Sequence, residues 1–95
     1  MKIDIKTTKP EDINKILHQE ISSEYPPYWT SADAAISLLE TWEHNRASRW
    51  VDGLWLVGVS DDPNQHVFEF LGYAELFSHA ACIAMLRARG IEVID

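Results

Sequence analysis

The chain has 95 residues, of which 46% are hydrophobic and 24% charged, with eight basic residues against fifteen acidic ones. This length leaves no room for a second domain and this composition excludes a disordered chain, so we expect a single folded domain over residues 1–95. The net charge of −7 argues against direct binding to nucleic acid, because such binding needs a basic surface that contacts phosphates.

Three features bear on the compartment in which the chain works. No apolar run reaches the roughly 18 residues that a membrane-spanning helix needs. The opening MKIDIKTTKPED lacks the apolar core of a secretory signal. Cys82 is the only cysteine, so an intrachain disulfide is impossible. We therefore expect a cytoplasmic protein that does not attach to a membrane.

The first predicted element is a helix over TKPEDINKILHQEI, residues 8–21. Thr8 and Glu11 have the spacing of a capping box, with Thr8 as the N-cap. Pro10 falls in the first turn, where its missing N–H costs nothing. The apolar residues at helical spacing form one face: Ile13, Ile16, Leu17 and Ile21.

The next stretch, EYPPYWTSADAA, leads into a second helix. Pro26 and Pro27 stop the first helix and favour an extended connector. Either Thr30 or Ser31 is expected to supply the N-cap oxygen, with Asp33 in the first turn. The apolar stripe of this helix is Ala35, Leu38, Leu39 and Trp42, and its expected end is near His44 and Asn45.

The middle of the chain predicts three strands. Asp52-Gly53 lies between two apolar runs, which is a strong signal for a hairpin joining strands at about 47–51 and 54–60. The segment HVFEFLGY, residues 66–73, alternates as a third strand. The resulting antiparallel meander carries large apolar side chains on both faces, so we expect cover on both faces.

The last predicted element is a helix over SHAACIAMLRARG. Ser78 is its expected N-cap, Arg87 and Arg89 fall in the last turn, and Gly90 is the expected C′ residue. One face carries Cys82, Met85 and Leu86. The order ααβββα predicts an α+β protein, a small αβα layered sandwich with a three-stranded antiparallel sheet flanked by helices.

Two segments resemble a known family. PPYWTSADAAISLLE is similar to the Pro-Pro-Tyr-Ser-Thr-Asp opening and alanine-rich helix of the phage ABA sandwich domain proteins, which bacteriophages and prophages encode. AACIAMLRARGIEV resembles the closing helix of the same family, with matches at Ala80, Cys82, Ala84, Leu86 and Gly90. The chain departs from the family pattern at Trp29, where serine is usual, and at Ser31, where aspartate is usual. The resemblance implies an αβα layered fold and a phage origin, and it implies no reaction.

The sequence contains no recognisable catalytic or metal-binding constellation. Only His79 and Cys82 share a helix at i, i+3 spacing, and zinc needs three or four ligands. Cys82 lies on an apolar face, without the electropositive setting that activates a thiol. Gly53, Gly58 and Gly72 are too far apart to form a phosphate-binding loop. We therefore expect a protein that is not an enzyme and that needs no metal or cofactor.

The aromatic stretch admits two interpretations. Tyr25, Tyr28 and Trp29 either pack over the end of the sheet beside the second helix or form a patch for a partner, since Tyr and Trp are frequent in interface hot spots. The family resemblance favours the packing role for Pro26, Pro27 and Tyr28. It leaves Trp29 as the better candidate for a partner contact.

Two functional hypotheses follow. The first is a small acidic phage accessory protein that binds a host protein or protein–nucleic-acid complex with a basic surface, and so inhibits a host defence complex such as a CRISPR effector. Its candidate partner-binding residues are Trp29, Glu40, Glu43, Asp52, Asp61 and Asp62, although a solvated face explains the acids equally well. The second is a self-associating structural phage protein without a host target, a homodimer through a sheet edge that could instead accept a partner strand. Both place the chain in the cytoplasm of an infected bacterium.

Overall fold

The computed structural model describes residues 2–18, 27–40, 44–49, 53–60 and 70–94. Within them the elements are, in chain order, β1 (Lys2–Asp4), α1 (Pro10–Leu17), α2 (Ala32–Leu39), β2 (His44–Arg49), β3 (Trp55–Ser60), β4 (Phe70–Ala74), α3 (Phe77–Ala88) and β5 (Glu92–Ile94). Strands β2, β3 and β4 form an antiparallel sheet in that order, whereas β1 and β5 form a parallel pair. The α+β fold class and the three-stranded antiparallel sheet are therefore confirmed.

Helix α1 begins one position later than the capping box predicted. Its N-cap is Lys9 rather than Thr8, and no side chain supplies a capping hydrogen bond. Pro10 occupies the first helical position, where a residue without an N–H loses no bond. Ile13 and Leu17 are fully buried, which confirms the apolar face in this part of the chain. The helix ends at Leu17, so the expected continuation to residue 21 is wrong.

Helix α2 confirms one of the two predicted caps. The Ala34 N–H donates to the Ser31 hydroxyl at 3.3 Å, so Ser31 is the N-cap. Ala35, Leu38 and Leu39 are buried, and Trp42 lies outside the described residues. The helix ends at Leu39 rather than near residue 44, because residues 44–49 already form β2.

The register of the sheet assigns each side chain to one of two faces. Trp55, Val57 and Val59 of β3 pair with Ala74, Gly72 and Phe70 of β4. The sheet is therefore the predicted meander, with boundaries that differ from the expected ones. Strand β2 runs over 44–49 instead of 47–51, and β4 continues to residue 74, while residues 61–69 lie outside the described part of the chain.

Helix α3 lies between the sheet and α2, since it packs against β3 and β4 and also against α2. Ser78 and every residue from 80 to 86 are buried, as expected for a helix covered on several sides. The opposite face of β4 is different: Leu71 is 41% exposed and Tyr73 is 37% exposed. The predicted cover of both sheet faces is therefore not found at these two positions.

Of the two caps predicted for α3, the N-cap is wrong and the C-terminal one is confirmed. The N-cap is Leu76, and the predicted cap Ser78 lies inside the first turn. At the other end, the Gly90 N–H donates to the Arg87 carbonyl at 3.0 Å and the Ile91 N–H donates to the Leu86 carbonyl at 3.1 Å. This pair of bonds is a Schellman motif, and the φ of +80° at Gly90 confirms it as the C′ residue.

The parallel pair β1–β5 was not predicted. Ile3 pairs with Val93, and both side chains are buried. The Arg87 guanidinium joins this pair to the larger sheet, because it donates to the Leu71 carbonyl of β4 at 2.7 Å and to the Val93 carbonyl of β5 at 3.4 Å. The chain order of the described elements is therefore βααβββαβ.

Candidate functional site

Trp29 is a packing centre for the helices. Its backbone N–H donates to the Asn14 side-chain oxygen at 2.9 Å, and its carbonyl accepts from the Ser78 hydroxyl at 2.8 Å. Its ring stacks on the ring of His79, with 3.9 Å between centroids and 14° between planes. Trp29 is only 9% exposed, so it offers little surface to a partner and its contacts favour the packing role. A partner contact through Trp29 stays a prediction.

A second cluster fixes the end of α1. The Tyr28 hydroxyl and His18 Nδ1 lie 3.0 Å apart in a hydrogen bond. The Arg89 guanidinium donates to the Ile16 carbonyl at 3.1 Å and also to the Leu17 carbonyl, where a cation complements the helix dipole. Burial lowers the pKa of Arg89, and nearby Tyr28 acts in the opposite direction. The cluster therefore attaches the C-terminus of α1 to the C-terminus of α3.

The potentially reactive groups of α3 are constrained by burial. Burial raises the pKa of the Cys82 thiol to about 12, so the thiol is protonated at neutral pH and is a poor nucleophile. Burial lowers the pKa of His79, which favours the neutral imidazole stacked on Trp29. Among the described residues, no group of three His, Cys, Asp or Glu side chains is arranged to hold a metal ion.

The structure describes two of the six predicted partner-binding residues. Trp29 precedes α2 and Glu40 follows it. The eight-residue helix between them is about 12 Å long, so these two residues are not brought together. Glu40 is exposed, whereas Trp29 is buried. The remaining four, Glu43, Asp52, Asp61 and Asp62, lie outside the described residues.

Charge is distributed unevenly along the chain. Between Lys15 and Arg46 the sequence has five acids and no Lys or Arg, and the same is true between Arg49 and Arg87. Five of these ten acids lie within two residues of a strand of the three-stranded sheet in sequence: Glu43, Asp61, Asp62, Glu69 and Glu75.

Three strand termini meet at one end of the sheet. His44, the first residue of β2, pairs with Ser60, the last residue of β3. Phe70, the first residue of β4, pairs with Val59. The chain therefore enters β2, leaves β3 and enters β4 at the same end, which we call the acidic end.

The acidic end takes its name from the residues next to it in sequence. Glu43 directly precedes β2, and Asp61 and Asp62 directly follow β3. Asp52 instead lies in sequence between β2 and β3. Three of the predicted acids therefore belong to chain segments that meet the sheet at one place. Sequence reasoning selected these acids singly, and only the strand register relates them.

The face of the sheet turned away from α3 carries apolar side chains, and we call it the outer face. Leu56 pairs directly with Tyr73, and Leu71 lies two residues before Tyr73 on the same face of β4. Leu71 and Tyr73 are exposed, and Leu56 is half-buried. Exposed apolar and aromatic side chains grouped on one face are typical of protein contacts.

Comparisons of the chain with protein-family models, with curated proteins and with solved structures find no match. Among the described residues, no helix has both the length and the apolar character that crossing a membrane requires.

Proposed function

We propose that this chain is a small acidic phage accessory protein, related to the phage ABA sandwich domain family and not an enzyme, that binds a host protein or protein–nucleic-acid complex in the bacterial cytoplasm. The observation that carries the proposal is the distribution of charge. Two long stretches of the sequence contain five acids each and no base, and four of these acids adjoin the acidic end in sequence: Glu43, Asp61, Asp62 and Glu69. Such a charge distribution attracts a basic surface.

A surface that holds nucleic acid is basic, because it contacts phosphates. A defence complex such as a CRISPR effector needs that surface to bind its guide or target, so an acidic protein that covers it inhibits the complex. Long-range attraction between charges accelerates such an encounter more than it strengthens the complex. The exposed apolar side chains Leu71 and Tyr73 on the outer face supply the kind of contact that provides the remaining affinity.

The proposal is tested by affinity capture from host lysate at low and moderate salt, with the bound proteins identified by mass spectrometry. The tagged chain is compared with a D61K/D62K variant and with an E75K/E92K control. Glu75 and Glu92 are exposed, and their replacement changes the net charge by the same amount away from the acidic end. We expect the unchanged chain and the E75K/E92K control to capture a basic complex that handles nucleic acid. The D61K/D62K variant should fail to capture this complex. Equal recovery by both variants, or recovery of no such complex, contradicts the proposal.

A self-associating structural phage protein is the competing proposal, and one observation favours it. Strand β2 is an edge of the three-stranded sheet, and edge strands pair readily with other strands. Sedimentation over a range of protein concentrations separates the two proposals. A monomer at every concentration counts against the structural role, and a stable dimer or larger assembly with no captured partner supports it.

A further inference from the structure

Strand β2 is exposed on its faces as well as at its edge. Helix α3 packs against β3 and β4, and Arg46, Ala47 and Arg49 of β2 are exposed. Alternate residues of an edge strand direct their N–H and C=O groups away from the sheet. Among the described residues, no strand pairs with that side of β2. The other edge differs, because Arg87 donates to the Leu71 carbonyl of β4.

The exposed edge is basic although the chain as a whole is acidic. Strand β2 has the sequence HNRASR, and the described strands of this sheet contain no Asp or Glu. Arg46 and Arg49 are three residues apart, so they lie on opposite faces of the strand. The Arg49 guanidinium lies over the ring of Trp55, 5.8 Å from its centroid. One cation is therefore available on each face of the edge.

We infer that the β2 edge binds an extended acidic segment of another protein, which adds to the sheet as a fourth strand. The outward N–H and C=O groups of β2 provide the backbone hydrogen bonds of strand addition. Two acids three residues apart in the added strand also point to opposite faces, so one reaches Arg46 and the other reaches Arg49. The ligand is thus an extended acid-x-x-acid segment, recognised by backbone pairing and by two ion pairs.

A second copy of the chain fits this edge less well. Two antiparallel β2 strands related by a twofold axis must keep equivalent faces on the same side of the joined sheet. Two such registers pair most of β2. When Arg46 pairs with Arg46 of the second copy, the two cations lie directly opposite each other. When Ala47 pairs with Ala47 of the second copy, the two Arg46 side chains lie diagonally across from each other. Like charges at such positions are destabilising, and charged side chains on an edge strand oppose self-pairing. The same charges favour an acidic strand.

The direct test is a fluorescence anisotropy titration with a short Thr/Val peptide that carries Asp and Glu three residues apart. Two matched peptides accompany it: one with Lys at both acidic positions, and one with alternate backbone amides methylated on the edge that would pair. The protein is used unchanged, as R46E, and as K6E, which makes the same charge change at exposed Lys6 of the turn after β1.

We expect the acidic peptide to bind and the lysine and methylated peptides to bind at least about tenfold more weakly, because one loses the ion pairs and the other the backbone bonds. R46E should bind the acidic peptide about tenfold more weakly and the lysine peptide more tightly than the unchanged protein does, and the tighter binding also shows that the variant is folded. The affinity of K6E for the acidic peptide should stay within about twofold of the unchanged protein. The inference is overturned if the acidic peptide does not bind, or if it binds no more tightly than the methylated peptide. It is also overturned if R46E and K6E lose the same affinity for the acidic peptide. The β2 edge begins at the acidic end with His44, but the peptide titration uses the chain alone and changes neither Asp61 nor Asp62, so its result is independent of the capture experiment with D61K/D62K.

Discussion

Replacing Gly72 with alanine tests the packing of α3 on the sheet. A Cβ atom at this position of β4 would lie 1.8 Å from the carbonyl oxygen of Ala80, 2.6 Å from the amide nitrogen of Ala84 and 2.9 Å from the carbonyl carbon of Ala80. All three atoms belong to the backbone of α3. The glycine therefore permits a close approach of helix and strand that no other residue allows.

The displacement that G72A requires sets the size of the effect. Real Cβ contacts are essentially never shorter than 3.0 Å, so helix and strand must separate by the difference between 3.0 Å and 1.8 Å, which is at least 1.2 Å. Overpacking a core costs about 1–3 kcal/mol, and we expect the upper end because the displaced atoms are helix backbone. At roughly 4–8 °C for each kcal/mol in a domain of this size, a loss of about 3 kcal/mol lowers Tm by roughly 12–24 °C.

The assay is thermal and urea unfolding followed by circular dichroism, with G90A as the matched control. Gly90 also has a special role, a φ of +80°, but a Cβ there would meet nothing within 4 Å. Its replacement should cost only about 1 kcal/mol of left-handed backbone strain. If G72A were as stable as the parent, or no less stable than G90A, the account of α3 packing on β4 would be refuted.

Three further predictions concern the groups around α3. N14A leaves the buried Trp29 N–H without its acceptor and should lower the free energy of unfolding, measured in urea, by about 1–3 kcal/mol. T30A, at an exposed neighbouring position, should change it little, and equal losses in the two variants would contradict the role of Asn14. Cys82, buried and with a pKa of about 12, should resist iodoacetamide at pH 8 in the folded protein and react fully in guanidinium chloride, and rapid native labelling would disprove its burial. Burial lowers the pKa of His79 from its ordinary value of 6.5, so the folded state binds fewer protons than the unfolded state and the free energy of unfolding falls as the pH drops below about 6.5. H79F should therefore reduce the dependence of the free energy of unfolding on pH between about pH 5 and 7, and an unchanged dependence would contradict this assignment.

Local signals in the sequence predicted local structure well. The proline at the start of α1, the Ser31 cap of α2 and the Gly90 end of α3 are all where their chemistry places them, because each depends on bonds within one turn. Tertiary contacts override such a signal at the other end of α3. Ser78 has the chemistry of an N-cap, but tertiary structure uses its hydroxyl to bind the Trp29 carbonyl.

Features that depend on distant parts of the chain were not predictable from the same patterns. Strands β1 and β5 have three residues each and pair across almost the whole chain, so neither carries a period that can be recognised. The central position of α3 was also missed, although its run of small residues from Ala80 to Ala84 is compatible with close packing on several sides. The acidic end was missed for a similar reason, because only strand register relates Glu43 to Asp61.

The proposed role divides the molecule between scaffold and surface. Helix α3 and the Trp29 contacts hold the sheet and the helices in place, and most of the groups involved are buried. Three surfaces offer contacts to a partner among the described residues: the acidic end, the outer face and the basic β2 edge. They differ in charge, so each selects a different kind of partner.

The proposed function requires that the chain cover a basic surface where a host complex binds nucleic acid, and a competition experiment at that surface tests this requirement. The chain is titrated into the captured host complex carrying labelled target DNA, at moderate salt, and the released DNA is measured. We expect complete release of the DNA at about one chain for each complex, with the same result for E75K/E92K and no release by D61K/D62K. Labelled DNA that stays bound in a large excess of the chain would contradict the proposed function.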